Sequence, residues 1–417
     1  MNRWLDRLMA KVIRLGRLEV RWADGSVSAY GNGAGPAARV EFRDRETEWA
    51  VLINPELAIG EAYMDGSLVF PDDSLLDFLM LLNESWTLLN RRPFYRALSR
   101  LRFATRRVAQ NNSPMRARRN IKRHYDLDLR LYNLFLDADM QYSCAYFERP
   151  EAGLEEAQWA KKRHLASKLL LESGQEVLDI GSGWGGLGLF LAGHFDVNVT
   201  GVTLSDEQHA ISNERAREQG LDRRVRFELK DYRALDTTFD RIVSVGMFEH
   251  VGAARYREFF SAAAKLLKPD GVMMLHSIGR YGPPAVTNPW IAKYIFPGGY
   301  IPALSEVMKA VEHVGLLVTD MEILRLHYAD TLKAWRERFR AQWDVAAEIY
   351  DERFCRMWDF YLAGSEAVFR TGEMMVFQLQ LTKDKSVVPI TRDYMYAAEE
   401  SFRSEHEGPE SLRLAGE

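Results

Sequence analysis

Apolar and polar positions along the chain change period several times, and each change marks an element. In residues 1–20, Trp4, Leu5, Leu8, Met9, Val12, Ile13 and Leu15 recur close to helical spacing, with Arg3, Arg7, Lys11, Arg14 and Arg17 set between them. That predicts a basic amphipathic helix, either packed on its own domain or lying on an anionic membrane. Residues 27–69 alternate in short runs divided by Gly31-Asn32-Gly33, Gly60 and Asp65-Gly66, which predicts a small strand-containing module. Leu75, Leu76, Phe78, Leu79 and Leu82 then share a helical face, with Asp73 or Ser74 at the capping position. Helical period returns over 155–171. From there strands at 177–180, 197–203, 225–229, 239–245 and 272–279 alternate with helices, the last strand following a turn at Lys268-Pro269-Asp270-Gly271. Strands and helices in strict alternation predict a doubly wound, mostly parallel α/β sheet. Residues 281–304, rich in Pro, Gly and aromatics, interrupt it. Their apolar side chains, Trp290, Tyr294, Ile295, Phe296 and Tyr300, read as a pocket wall rather than a disordered insert. Further helices and a strand at 375–381 complete the fold, and the polar tail from about Ser401 is expected to fray. In domain terms the expectation is a smaller N-terminal α+β part with a basic linker (1–110), an α/β domain (111–400) and a tail (401–417).

Composition adds little until its distribution is considered. The chain has 417 residues, 47% apolar and 27% charged, with a formal net charge of −4, which suits two globular domains. Its two cysteines, Cys144 and Cys355, have no metal-ligand spacing and form no disulfide framework, so a reducing cytoplasm is the expected compartment. No apolar run is long enough to span a bilayer, and residues 1–20 lack a signal-peptide core, so the expectation is a soluble or surface-bound protein. Against the acidic total, residues 91–123 carry twelve Arg or Lys and no acid. A solvated linker, a nucleic-acid contact and an anionic lipid contact all fit that asymmetry. No nucleic-acid reader motif lies beside it, whereas each basic residue near an anionic bilayer contributes about 1 kcal/mol.

The chemistry concentrates at 177–192, VLDIGSGWGGLGLFLA. A short apolar strand, a turn with Gly181, Gly183, Gly185 and Gly186, and an apolar helix make the first βαβ unit of such a sheet, with a ligand expected at the strand's carboxyl end. The glycines satisfy G-x-G-x-x-G, so a dinucleotide site and a purely structural turn are both open readings. Asp179 precedes the first glycine, however, and the next strand, VNVTGVTLS, ends without the acid a dinucleotide's ribose requires. The D-x-G-x-G-x-G form resembles motif I of class I S-adenosylmethionine (SAM) methyltransferases. Ser205 and Gln208 have capping-box spacing, and Gln208 is equally a candidate to bond the cofactor. Asp231-Tyr232-Arg233 follows the third strand, where an adenine would be bracketed. Glu249, His276 and Ser277 fall at carboxyl ends of strands, where a site is expected. The aromatic segment 124–149 precedes motif I and is placed to fold over the cofactor, with Tyr142, Ser143 and Cys144 toward the sulfonium.

Taken together, QYSCAYF, the glycine stretch, GVTLSDEQ, GMFEHVG, HSIG, IFPGGYIPAL, HYADTLKAW and FYLAGSEAVFRTGEMMVFQLQL resemble the cyclopropane-fatty-acyl-phospholipid synthase family, over 124–382, and EAYMDGSLVF in the N-terminal part is similar too. The resemblance implies transfer of the SAM methyl carbon to a cis double bond of a phospholipid acyl chain, then proton loss and ring closure. It implies a bound bicarbonate as the base, held by Glu249, His276, Tyr328 and the backbone amides of Cys144 and Ile278. Glu249 would orient the ion through its hydroxyl proton, while His276 and Tyr328 donate hydrogen bonds. It assigns SAM contacts to Tyr142, Ser143, Gly181, Gly183, Thr203, Leu204, Gln208 and Tyr232. It places the aromatic loop along an acyl channel, and gives the N-terminal part a role in lipid binding and dimerisation. The implied setting is peripheral contact with the cytoplasmic face of a membrane, with no metal and no nucleic acid. The chain departs from the family's HYDxGN pattern, reading Asp126-Leu127-Asp128-Leu129-Arg130, which puts the lid and the product in question. Relatives of that architecture make methylene- or methyl-branched chains, and a lipid-binding protein that keeps only the SAM fold is the remaining alternative.

Overall fold

The computed structural model describes residues 1–90 and 129–406. The basic stretch 91–123, the start of the aromatic segment at 124–128, the proposed domain boundary at 110 and the end of the tail lie outside them.

A helix at Arg3–Val12 opens the chain, capped by the Asn2 side chain, and buries Leu5, Met9 and Val12 against the N-terminal core. It is shorter than its sequence pattern, because Gly16, at φ +67°, turns the chain into a strand. Strands β1 (Arg17–Arg21), β2 (Val27–Tyr30), β3 (Ala37–Phe42) and β4 (Leu68–Val69) form a sheet in the order β2-β1-β3-β4. Between β3 and β4 the expected strands are absent: residues 45–65 form two helices, Arg45–Ile53 and Pro55–Asp65. Gly60 is therefore not a turn. It sits inside the second helix, where a Cβ would lie 2.4 Å from the Trp290 indole nitrogen. Here close packing, not chain reversal, requires the glycine. Ser74 does not cap the next helix, Leu75–Asn90, with its hydroxyl, which bonds the Arg39 backbone N–H and C=O instead.

The second sheet carries the function. Strands β5 (Glu176–Ile180), β6 (Asn198–Thr203), β7 (Val225–Leu229), β8 (Phe239–Val245), β9 (Leu267–Arg280), β10 (Leu317–Leu324) and β11 (Met374–Thr382) lie in the order β10-β11-β9-β8-β5-β6-β7. β7, β6, β5, β8 and β9 are parallel, and β11 inserts antiparallel between β9 and β10. Strand order reverses between β5 and β8, the switch point at which a doubly wound sheet binds its ligand. The turn expected at 268–271 is absorbed into β9, with a register shift against β8 near Phe239.

The helix Leu154–Leu169 precedes β5 and is buried on nearly every face, including Lys161, Lys162, Arg163, His164 and Lys168. The C-terminal helix, Asp393–His406, packs on it and inserts Phe402 among Trp159, Phe190, His194 and Phe195. The tail is thus docked through His406, because an aromatic residue among polar neighbours is enough to anchor one face. The long helix Glu352–Thr371 joins the two halves: Ala363 and Ala367 belong to the N-terminal core, Asp359 accepts a 2.8 Å bond from the Tyr63 hydroxyl, and the Arg356 Nε donates to the Met64 carbonyl.

Candidate active site

After β5 the chain turns through Gly181, Gly183 and Gly185 at φ +84°, +55° and +87°, a region that side chains with a Cβ disfavour. The glycines do different work. A Cβ on Gly181 would meet the Met247 side chain at 2.6 Å, and one on Gly185 would meet Phe227 at 2.7 Å. Beside Gly183 there is only open space. That space belongs to a cavity of about 1240 Å³, counting its mouth, at the carboxyl ends of β5, β6 and β8. Tyr142, Ser143, Gly181, Gly183, Thr203, Leu204, Gln208 and Tyr232 all line it. Every contact that the resemblance assigns to SAM therefore faces one space.

Ser205 caps the helix Asp206–Glu218 as expected, accepting from the Gln208 N–H at 3.3 Å. The reciprocal half of a capping box is missing, because the Gln208 Oε1 accepts from the Thr203 hydroxyl at 2.8 Å. That contact directs the Gln208 side chain to the cavity edge.

Residues 140–143 form the cavity's roof. Asp139 latches them: its Oδ2 accepts from Lys162 at 2.6 Å, and its Oδ1 pairs with Arg215, which also donates to the Trp184 carbonyl of the glycine turn at 2.8 Å. Beneath the roof the buried Lys161 ammonium donates to the Gln141 Oε1 at 2.6 Å and to the Ser143 hydroxyl at 2.8 Å. Burial pulls this lysine down to about 8 and pushes Asp179, in the cavity wall, up to about 7. The Asp179 Oδ2 is buried without a protein partner.

The five residues assigned to the base come from four segments, and none is in the lining of that cavity. Glu249 sits in a 3-10 turn after β8. Its Oε1 accepts from the Ile278 N–H at 2.6 Å, so that amide, assigned to the ion by resemblance, is engaged by the glutamate in this structure. The Oε2 is buried without a partner, and burial pushes the carboxyl up to about 7. His276 lies two residues before Ile278 on β9, opposite Val245 of β8. Burial holds its imidazole well below its ordinary pKa, hence neutral, and its Nε2 has no protein partner. Burial likewise pushes the Cys144 thiol far up, so it is a neutral thiol and no nucleophile. Cys144 and Tyr328 share one apolar cluster, against which Ile278 packs.

That cluster is strongly aromatic. Tyr142 stacks on Trp335 at 5.1 Å and its hydroxyl meets that of Tyr361 at 3.0 Å. Tyr328 packs edge-on to Phe369 at 4.9 Å, and Phe296 edge-on to Tyr361 at 5.8 Å. Trp290, Tyr294, Ile295 and Phe296 of the 281–304 loop join it as expected. Tyr300 does not: its hydroxyl bonds Glu306, and it packs on the other side with Tyr256.

Sequence reading missed His250, which lines the cavity and is pulled down to about 4 by burial, as well as Lys161 and Gln378. His250 adjoins Glu249 and was findable by position after β8. Lys161, within a KKRH run, carried no local signal of burial.

Comparison with known proteins supplies the family. Residues 112–379 match the mycolic acid cyclopropane synthetase family, and residues 5–78 match a domain of unknown function. The chain is 40% identical to the cyclopropane-fatty-acyl-phospholipid synthase of Escherichia coli K12 over 352 residues, covering 84% of this chain and 89% of that one. It is 40% identical to a probable fatty acid methyltransferase of Pseudomonas putida, covering 66% and 73%. Among solved structures, a mycolic acid cyclopropane synthase complexed with SAH and CTAB superposes with a TM-score of 0.60 at 36% identity, covering 63% of this chain and 97% of that one. With a glycine turn opening onto this cavity and 268 of its residues matched, the chain belongs to the mycolic acid cyclopropane synthetase family of SAM-dependent methyltransferases.

Proposed function

We propose that the protein transfers the methyl carbon of SAM to the cis double bond of an unsaturated phospholipid acyl chain and closes a cyclopropane ring. The observation that carries this is the aromatic cluster sharing Tyr142 with the SAM cavity and containing Cys144 and Tyr328. An alkene is a weak nucleophile, so donor and double bond must be held in line with water excluded. Attack leaves a carbocation on the acyl chain, which aromatic faces stabilise and water would trap. A wall of Tyr142, Trp335, Tyr361 and Phe296 supplies such faces.

Proton removal needs an acceptor near the aromatic cluster. Two buried polar atoms without partners, the Glu249 Oε2 and the His276 Nε2, fit a small oxyanion that both donates and accepts. Bicarbonate is such an ion, and when bound it would supply the base. Glu249, aligned by the Ile278 amide, and His276 would orient it, with Tyr328 and the Cys144 backbone completing its surroundings.

For the lipid surface, the N-terminal module is the candidate. Trp4 is 65% exposed and Trp49 and Ile53 are also exposed, on two helices that pack together, with Arg3, Arg7 and Lys11 on the first. They would rest at the headgroup level, and residues 1–110 would act as the accessory domain to the catalytic part at 111–400. Among the described residues, no helix is long and apolar enough to cross a membrane.

The test is incubation with SAM and vesicles of cis-unsaturated phospholipid, followed by mass spectrometry of the released fatty acids. Chains heavier by one CH₂, without an alkene and with a three-membered ring, support the reading. The same gain with an alkene retained reassigns the product to a branched chain. No gain together with no SAM binding by calorimetry leaves a lipid-binding protein.

A further inference from the structure

His276 is fixed by a buried chain of side chains that the proposed chemistry does not itself explain. β9 and β11 pair so that His276 faces Gln378 directly, 102 positions apart in the sequence. The Gln378 Nε2 lies 3.2 Å from the His276 Nδ1, and the Gln378 Oε1 lies 2.6 Å from the Lys168 Nζ. All three side chains are buried: His276 is 2% exposed, Gln378 0% and Lys168 1%. Lys168 is held in turn by Glu322, which also bonds the His164 Nε2 at 2.7 Å, and the His164 Nδ1 meets Glu399 of the C-terminal helix.

The orientation of this chain follows from donor counting. An ammonium has donors only, so the amide oxygen of Gln378 must face Lys168; the reverse orientation would set donor against donor in a buried site. The amide N–H₂ then faces His276 and donates, which makes Nδ1 an acceptor. A neutral imidazole has one N–H, so the proton sits on Nε2, the buried atom without a protein partner.

We propose that Gln378, oriented by Lys168, is a positioning residue that locks His276 in its Nε2–H tautomer and so makes it an obligate hydrogen-bond donor to the oxyanion that removes the proton. The inference rests on the reading that His276 serves that oxyanion. It adds that the specificity for a donor at this corner originates on β11 and the Leu154–Leu169 helix.

The experiment uses the full chain labelled with ¹⁵N-histidine, the His276 signals being assigned by their loss in His276→Gln. In the unsubstituted protein, Nδ1 should give a pyridine-type and Nε2 a pyrrole-type resonance, with or without lipid. In Gln378→Glu one carboxylate oxygen still faces Lys168 and the other now accepts, so the pattern should reverse to Nδ1–H. Turnover should fall roughly 10- to 100-fold, the range seen when the orienting partner of a metal-bound histidine is removed, with SAM affinity held within about twofold. Gln378→Met, which neither donates nor accepts, should give a mixture of tautomers and an intermediate loss, and guards against a variant that fails to fold. An Nδ1–H tautomer in the unsubstituted protein, or a Gln378→Glu protein with unchanged tautomer and turnover, overturns the proposal. If the tautomers behave as stated while turnover is indifferent to them, His276 does not serve the oxyanion, and the reading beneath the proposal fails instead.

Discussion

Replacing Glu249 by Gln separates the stability cost of this site from its chemistry. Burial raises the Glu249 carboxyl from 4.5 to about 7, and its Oε2 has no partner. One pKa unit corresponds to 1.36 kcal/mol, so holding the ionised form in the folded protein costs about 3 kcal/mol in full. The sign follows from linkage. A group whose folded pKa lies above its unfolded value favours the folded state at low pH and withdraws that advantage as pH rises from about 4.5 through 7. Between pH 5 and pH 8 the ligand-free protein should therefore lose about 2.5 kcal/mol of stability through this residue alone. Glu249→Gln keeps an oxygen for the Ile278 N–H and cannot ionise. Chemical denaturation of both proteins at pH 5, 6, 7 and 8 gives a difference curve in which other titrating groups, Asp179 among them, cancel. The variant should gain steadily on the parent as pH rises, bind SAM normally and lose most turnover. A flat difference curve would refute the burial argument for Glu249. Near-normal turnover would remove Glu249 from the mechanism whatever the curve shows.

Three further outcomes are expected. Gly183→Ala introduces a Cβ at φ +55° into the open space of the cavity, so it should cost the ligand-free protein only about 1–2 kcal/mol but raise the SAM dissociation constant at least roughly tenfold, as read by calorimetry. Gly60→Ala gains about 1 kcal/mol of helix propensity but drives a Cβ to 2.4 Å from the buried Trp290 ring, a clash worth about 1–3 kcal/mol, so denaturant unfolding should show net destabilisation and lipid turnover should fall with Trp290 displaced. Phe402→Ala should cost about 3 kcal/mol by the same assay, because its ring fills the space between Trp159, Phe190 and Phe195; a frayed tail would register nothing.

Much of the catalytic half was legible without coordinates, and for local reasons. β7 at Val225–Leu229 and β8 at Phe239–Val245 follow from apolar runs bounded by turn residues, and the glycine turn follows from backbone angles that only glycine adopts freely. The eight residues that the family resemblance assigns to SAM all line one cavity, at the strand ends where such sheets bind their ligand. What failed was decided by distant partners. Gly60 has the look of a turn until Trp290, 230 positions away, occupies its face. Nothing within the KKRH run signals burial; Asp139, Glu148, Glu322 and Glu399 come from other elements to bond Lys162, Arg163 and His164. The tautomer proposed for His276 depends on a strand that pairs antiparallel with β9 and brings Gln378 from 102 positions further along the chain. Periodicity and turn chemistry are properties of neighbours along the chain. Burial of a charge, and the direction in which a buried proton points, depend on neighbours in space.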